Sequence, residues 1–134
     1  MSKFDMANGP AVFIMPHWSK EGTELERNWL NATLESIKAQ TDSNWKILIA
    51  DGNSPSEKAK AYLRQLVEEF GGKLDVIFME KSDGPGHARN VAIQRAYEAG
   101  YPFIVFLDAD DMTGAKRVES ARKIFLSNPA VGVV

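Results

Sequence analysis

The sequence of 134 residues contains no cysteine, so the chain can form neither a disulfide framework nor a thiolate metal site. It also lacks a strong charge of one sign, since its 16 Lys and Arg residues are scattered and the net charge is -2. Nucleic acid is therefore not an expected partner. The apolar runs are too short for a membrane span, and residues 1–10 lack the order of a signal peptide. We expect a cytoplasmic protein.

The composition, 44% hydrophobic and 25% charged, fits one compact domain over residues 1–134. Short apolar runs alternate with segments of helical periodicity and predict an α/β fold with a mostly parallel sheet. The predicted strands cover residues 11–15, 45–50, 74–79, 103–107 and 131–134. Because the last run begins a strand where the chain ends, we expect the domain to be truncated at its C-terminus.

Helices are predicted between these strands. The first carries apolar residues at spacings of four and three over residues 30–37. The second begins at a capping box formed by Ser54 and Glu57. The third covers residues 86–100 with a face of small side chains, and the fourth covers residues 115–126.

Acidic residues follow the fourth predicted strand directly. Alternation along an extended chain places Asp108 and Asp110 on the same side. Two ionised carboxylates repel each other, and Mg²⁺ or Mn²⁺ would relieve that repulsion. In open parallel sheets, ligands bind beyond the carboxyl ends of the strands, so a metal site is expected here. The alternative interpretation is that both are loop acids facing water, while Asp111 caps the fourth helix.

Five segments in order resemble the inverting family 2 glycosyltransferases of the GT-A fold. They read PHW at 16–18, SIKAQT at 36–41, DGNS at 51–54, GPGHARN at 84–90 and FLDADD at 106–111. The resemblance covers nearly the whole chain. It implies a GT-A (Rossmann-like) fold and identifies residues 1–134 as the N-terminal, nucleotide-sugar-binding half of the domain.

The resemblance also implies roles on the base side of the site. The backbone near Pro16 and the side chain of Asp51 would contact a uracil-type base. Trp18 would stack on the base or close the top of the sheet. The family usually has two acids before the glycine where this chain has Ala50 and Asp51, so one base or ribose contact is absent from the pattern.

Further roles follow on the phosphate side. Arg89 would lie near the diphosphate, Asp108 would contact the ribose and orient the metal, and Asp110 would ligate the metal directly. His17 and His87 occupy positions that vary in the family, so packing or solvent exposure is expected for both. His87 at a helix start could also reach a phosphate.

The implied reaction is sugar transfer with inversion from a nucleoside-diphosphate sugar, expected to be a UDP-sugar, to an acceptor hydroxyl. A divalent cation, Mn²⁺ or Mg²⁺, would stabilise the departing diphosphate. The acceptor, a saccharide, lipid or protein, would bind a region beyond Val134 that also supplies the general base. This chain is therefore expected to bind donor and metal weakly and to transfer sugar poorly, and any membrane association would come from the missing part or the acceptor.

Two other classes of protein stay open. The first is a non-catalytic module that binds nucleotide and metal or serves as a protein-interaction surface. The second, a flavodoxin-like or receiver-type domain, ranks lower because those folds also place acids after the first strand, where this chain has Pro16, His17 and Trp18. A dinucleotide-binding domain is weaker still, because no G-x-G-x-x-G follows that strand.

Overall fold

A computed structural model describes residues 5–81, 83–109 and 111–127 of the chain, in which strands and helices alternate. The elements in order are β1 (Ala11–His17), α1 (Glu24–Lys38), β2 (Trp45–Asp51), α2 (Glu57–Glu69), β3 (Leu74–Phe78), α3 (Pro85–Glu98), β4 (Phe103–Phe106) and α4 (Arg117–Ser127). The sheet has the order β3-β2-β1-β4, and every pairing within the described residues is parallel. The predicted α/β fold is confirmed, whereas the predicted strand at 131–134 lies outside the described residues.

The sheet is covered on both faces, and the alternation of β1 shows how. Phe13 and Met15 pack into the larger cluster, which also contains buried apolar residues of α1, α2 and α4. Val12 and Ile14 point to the opposite face and pack with α3. Because β1 is buried on both sides, its sequence is a continuous apolar run rather than an alternating one.

Helices α1 and α2 are fixed at their starts by hydroxyl caps. The Thr23 side chain accepts a hydrogen bond from the Glu26 backbone N–H, and Ser56 does the same for Ala59. The predicted capping box at Ser54 is therefore wrong by two residues. Its hydroxyl is buried and donates to Asp51 at 2.6 Å, which leaves Ser56 as the cap.

Helix α3 lies close on the sheet because its buried face consists of Ala88, Ala92 and Ala96. Helix α4 begins at Arg117, two residues later than predicted. Asp111 consequently lies too far away in sequence to cap it, and that expectation is wrong. The Asp111 backbone N–H instead donates to the Asp108 carbonyl at 3.0 Å and closes a turn after β4.

A buried arginine ties α4 to the start of the chain. Arg122, which is 9% exposed, donates to the Asp42 carboxylate at 2.7 Å and to the Asn44 carbonyl at 3.1 Å. It also donates to backbone carbonyls of the segment before β1, including Gly9 at 2.7 Å. None of the helices within the described ranges combines the length and apolar character needed to cross a bilayer.

Candidate functional site

A cleft of about 670 Å³ opens at the carboxyl edge of the sheet, where the strand order reverses between β1 and β4. Ligand sites of open α/β sheets lie at such reversal points. The residues that line this strand-edge cleft are Pro16, His17, Trp18, Glu26, Trp29, Leu30, Gly52, Gly84, Pro85, Ala88, Arg89, Asp108 and Ala109. They come from three strand ends and from helices α1 and α3.

Four of the six residues that the sequence singles out meet in this cleft: Pro16, Trp18, Arg89 and Asp108. Asp51 does not line it, because the side chain is fully buried beneath. Asp110 lies outside the described residues. The structure thus brings the base-side and phosphate-side residues to one cavity, and their individual roles stay predictions.

Arg89 and Asp108 form an ion pair in the lining of the cleft. The Arg89 Nη2 atom donates to Asp108 Oδ1 at 2.8 Å, and the two side chains are 36% and 50% exposed. The pair is therefore reachable by a ligand. It places one positive charge, which suits a phosphate group, beside one carboxylate, which suits a cation.

Asp51 is the centre of a buried hydrogen-bond network below the cleft. Its Oδ1 atom lies 2.8 Å from His17 Nδ1 and accepts from the Ser54 hydroxyl at 2.6 Å. Its Oδ2 atom accepts from the Ser54 backbone N–H at 3.0 Å, and the Ser54 hydroxyl accepts from the Ser19 N–H at 2.9 Å. Burial by itself would raise the pKa of Asp51, but the hydrogen bonds with His17 and Ser54 lower it below its ordinary value. Asp51 is thus an ionised carboxylate with both oxygens engaged.

Helix α1 and Gln40, which lies two residues beyond its end, contact residues that follow β4. The Gln40 side-chain amide donates to the Gly114 carbonyl at 2.7 Å and accepts from the Val118 N–H at 3.0 Å. The Thr33 hydroxyl lies 3.1 Å from the Ala109 carbonyl, to which it donates. Two side chains of the SIKAQT segment thus contact residues that follow the acidic segment: Gln40, and Ser36, whose hydroxyl accepts from the Thr113 N–H at 3.1 Å.

Three polar or aromatic side chains line the cleft without having been assigned to it from the sequence: Glu26 and Trp29, and His17, for which packing or solvent exposure was expected. A hydrogen bond from Ser19, with a smaller contribution from Thr23, lowers the pKa of Glu26. Trp29 is 51% exposed despite its size. The spacing of three between Glu26 and Trp29 places them on one face of α1, a signal available in the sequence once the helix start at Thr23 is known.

The start of α3 is the remaining polar feature of the cleft. Gly84 has φ 89° and offers no side-chain cap, and Pro85 occupies the first helical position. The backbone N–H groups of this first turn therefore lack the hydroxyl partners that Thr23 and Ser56 supply to α1 and α2. An uncapped helix start beside Arg89 favours a negatively charged ligand.

The residues present fit a divalent cation held jointly with a ligand. Within the described residues no group of three or more His, Cys, Asp or Glu side chains converges on one point. Asp108 offers a carboxylate at the edge of the cleft, and Mg²⁺-type sites often use one or two carboxylates with phosphate oxygens and water. The donor set therefore suits a cation that binds together with a diphosphate.

Comparison with known proteins identifies the family. The model of the family described as Glycosyl transferase family 2 matches residues 22–134. The chain belongs to this family, and the resemblance seen in the sequence is confirmed.

Relatives of established or assigned function point the same way. The chain is 32% identical over 116 residues to the UDP-Glc:alpha-D-GlcNAc-diphosphoundecaprenol beta-1,3-glucosyltransferase WfgD of Escherichia coli, a match that covers 86% of this chain and 40% of that protein. It is 28% identical over 93 residues to the putative teichuronic acid biosynthesis glycosyltransferase TuaG of Bacillus subtilis, covering 69% of this chain and 35% of that protein. The chain therefore spans less than half the length of these relatives.

Solved structures show the same fold. The mannosyltransferase PcManGT from Pyrobaculum calidifontis, in complex with GDP-Man and Mn²⁺, superposes with a TM-score of 0.71 at 19% identity, over 93% of this chain and 34% of that one. S. aureus TarS 1-349 in complex with UDP gives a TM-score of 0.69 at 22% identity, over 90% of this chain and 33% of that one. The fold is that of the GT-A glycosyltransferases, as predicted.

Proposed function

We propose that this chain forms the donor-binding part of an inverting glycosyltransferase that uses a UDP-sugar and a divalent cation. The observation that carries the proposal is the meeting of Arg89, Asp108 and the uncapped start of α3 in one cleft beside the end of β1. Membership of glycosyl transferase family 2 supports the same class of reaction.

The base and ribose would lie on the β1 side of the cleft. Trp18 is 51% exposed and lines the cavity, so its ring is available to stack on a base. Pro16 and Gly52 also line this end, and Gly52 has no side chain to keep a flat ring away from its backbone.

The diphosphate would lie across the start of α3. Arg89 offers several N–H donors to phosphate oxygens, and the first turn of α3 offers backbone N–H groups. Asp108 and Asp110 would hold Mn²⁺ or Mg²⁺ against the same diphosphate. The complexes of structural neighbours with Mn²⁺ support a divalent cation in related enzymes.

Leaving-group stabilisation is the chemistry that these residues suit. As the bond between the anomeric carbon and the diphosphate oxygen breaks, negative charge grows on that oxygen. A bound cation would supply Lewis-acid stabilisation of this charge. Arg89 and the α3 start would add fixed positive potential that does not need to reorganise during the reaction.

We propose that the acceptor binds outside the described residues and that the general base also lies there. Inversion requires a base that removes the proton of the acceptor hydroxyl on the face opposite the leaving group. The acids that line the cleft, Glu26 and Asp108, are partnered with Thr23 and Arg89 respectively. We therefore assign neither of them as the base and expect the chain to bind donor with little transfer.

Calorimetric titration of the chain with UDP, with and without Mn²⁺, tests the proposal. We expect binding that strengthens at least about tenfold in Mn²⁺ and is lost in Asp108→Asn. The matched control is Asp75→Asn, an exposed acid on β3 away from the cleft. UDP binding that is absent in both conditions would refute the donor site and favour a non-catalytic interaction module.

A further inference from the structure

We infer that His17 reads the nucleotide base through its Nε2 atom, and that Asp51 fixes the tautomer that makes this atom a hydrogen-bond acceptor. The inference rests on the proposed donor site and assigns its specificity for the base. It gives Asp51 the task of a positioning residue under the cleft.

The β1–β2 register creates the pair. His17 and Asp51 are direct partners across the parallel strands, and His17 Nδ1 lies 2.8 Å from Asp51 Oδ1. Asp51 has no exposed surface, whereas the His17 side chain is 12% exposed and lines the cleft. One edge of the imidazole therefore faces the buried carboxylate, while part of the ring reaches the cavity.

The partners of Asp51 decide which ring nitrogen carries the proton. The Ser54 hydroxyl and backbone N–H both donate to Asp51, so the group is held as a carboxylate, which accepts hydrogen bonds only. His17 Nδ1 must then be the donor. In the neutral ring this leaves Nε2 without a proton, and it becomes an acceptor.

Nε2 is also free to meet a ligand. Nε2 has no hydrogen-bond partner among the described residues. Among those residues, the only fully buried side-chain polar atom without a partner is Thr113 Oγ1, so Nε2 is not fully buried. Nε2 therefore has accessible surface. The nearby carboxylate of Glu26 already accepts from the Thr23 hydroxyl at 3.0 Å.

A fixed acceptor selects bases by their ring nitrogens. Uracil presents a protonated N3 and guanine a protonated N1, whereas the matching nitrogens of cytosine and adenine carry lone pairs. An acceptor facing a lone pair leaves both groups unsatisfied, which is the costly arrangement. We expect UDP to bind at least about tenfold more tightly than CDP, and GDP more tightly than ADP.

Substitution of Asp51 by Asn should reverse the choice. The Ser54 N–H donates to the position of Oδ2, so the introduced amide must place its oxygen there and turn its NH₂ group toward His17. That NH₂ group would then donate to Nδ1 and also to the Ser54 hydroxyl oxygen, and the ring proton would move to Nε2. Nε2 becomes a donor, and CDP should gain affinity relative to UDP by a factor of about ten or more.

Two measurements on the purified chain test the inference. Titration with UDP and CDP in Mn²⁺ gives the selectivity of the wild type, Asp51→Asn and His17→Gln. Side-chain ¹⁵N–¹H correlation spectra distinguish the protonated from the unprotonated ring nitrogen. Only 2 histidines are present, and His87→Gln serves as the control because His87 is exposed on α3 and does not line the cleft.

In the spectra, we expect the ring proton of His17 on Nδ1 in the wild type and on Nε2 in Asp51→Asn. In the titrations, we expect a UDP/CDP affinity ratio near one in His17→Gln and the wild-type ratio in His87→Gln. Equal binding of UDP and CDP by the wild type, or a proton on Nε2 there, would overturn the inference while leaving the donor site intact. Failure of every nucleotide to bind would refute the proposed function itself, and the base-reading role with it. If Asp51→Asn does not fold, the wild-type spectrum and selectivity still decide.

Discussion

Arg89→Met should weaken the binding of UDP while changing the free energy of unfolding only slightly. Arg89 and Asp108 are 36% and 50% exposed, so their ion pair contributes only about 0–1 kcal/mol to the free energy of unfolding. A hydrogen bond from the guanidinium to a phosphate contributes about 1.5–3 kcal/mol, so UDP affinity in Mn²⁺ should fall about 10- to 150-fold. Urea denaturation and calorimetric titration measure the two quantities on the same samples.

Arg95→Met is the matched control for this experiment. Arg95 lies on the same helix, is exposed and does not line the strand-edge cleft. Its loss should leave UDP affinity within about twofold of the wild type, a change of roughly 0.4 kcal/mol. Unchanged UDP affinity in Arg89→Met, or a loss of stability well above about 1 kcal/mol, would refute the assignment of Arg89 to the diphosphate.

Three further changes probe the framework around the site. Because folding lowers the pKa of Asp51 below 3.8, the group stabilises the fold above about pH 4, and that contribution is lost as the pH falls through the folded value. Between about pH 5 and about pH 3, the free energy of unfolding should therefore fall less in Asp51→Asn than in the wild type. An equal fall in both proteins would contradict the lowered pKa of Asp51. Gln40→Ala should lower the free energy of unfolding by about 2 kcal/mol and weaken UDP binding, because the Gly114 carbonyl and the Val118 N–H lose their partner. Gln65→Ala, at an exposed position of α2, should do neither. Arg122→Lys should cost about 2–4 kcal/mol in urea denaturation, since one ammonium cannot replace the guanidinium contacts with Asp42 and the backbone. If Arg122→Lys lowers the free energy of unfolding no more than Arg64→Lys at an exposed position of α2, the contacts of Arg122 contribute little to stability.

Strands β1 and β2 could be predicted because they are buried on both faces and therefore stand out as apolar runs. Strands β3 and β4 are less buried but still carry apolar residues in short runs. The predicted ends differ from the observed ones by one or two residues, as at β1, which continues through His17. Helix starts were harder to predict. Ser54 has the pattern of a cap, but the nearby buried Asp51 takes its hydroxyl, a competition that spacing along the chain does not reveal.

The site was predictable where strand ends carry it. Pro16, Trp18 and Asp108 follow apolar runs, and the parallel sheet brings such ends to one edge. The pairing of His17 with Asp51 depends on the register of strands 34 residues apart, which the sequence alone does not specify. The burial of Asp51 beneath the cleft follows from the same register, and for this reason we propose His17 on the neighbouring strand as the base contact expected of Asp51.

The most direct test of the donor site is a crystal of the chain soaked with UDP and Mn²⁺ and measured at the manganese absorption edge. We expect an anomalous peak from Mn²⁺ beside the carboxylate of Asp108. The diphosphate should lie between this ion and the start of α3, and the uracil should lie against His17. An empty cleft, or a manganese ion bound far from Asp108 while UDP occupies another surface, would contradict it.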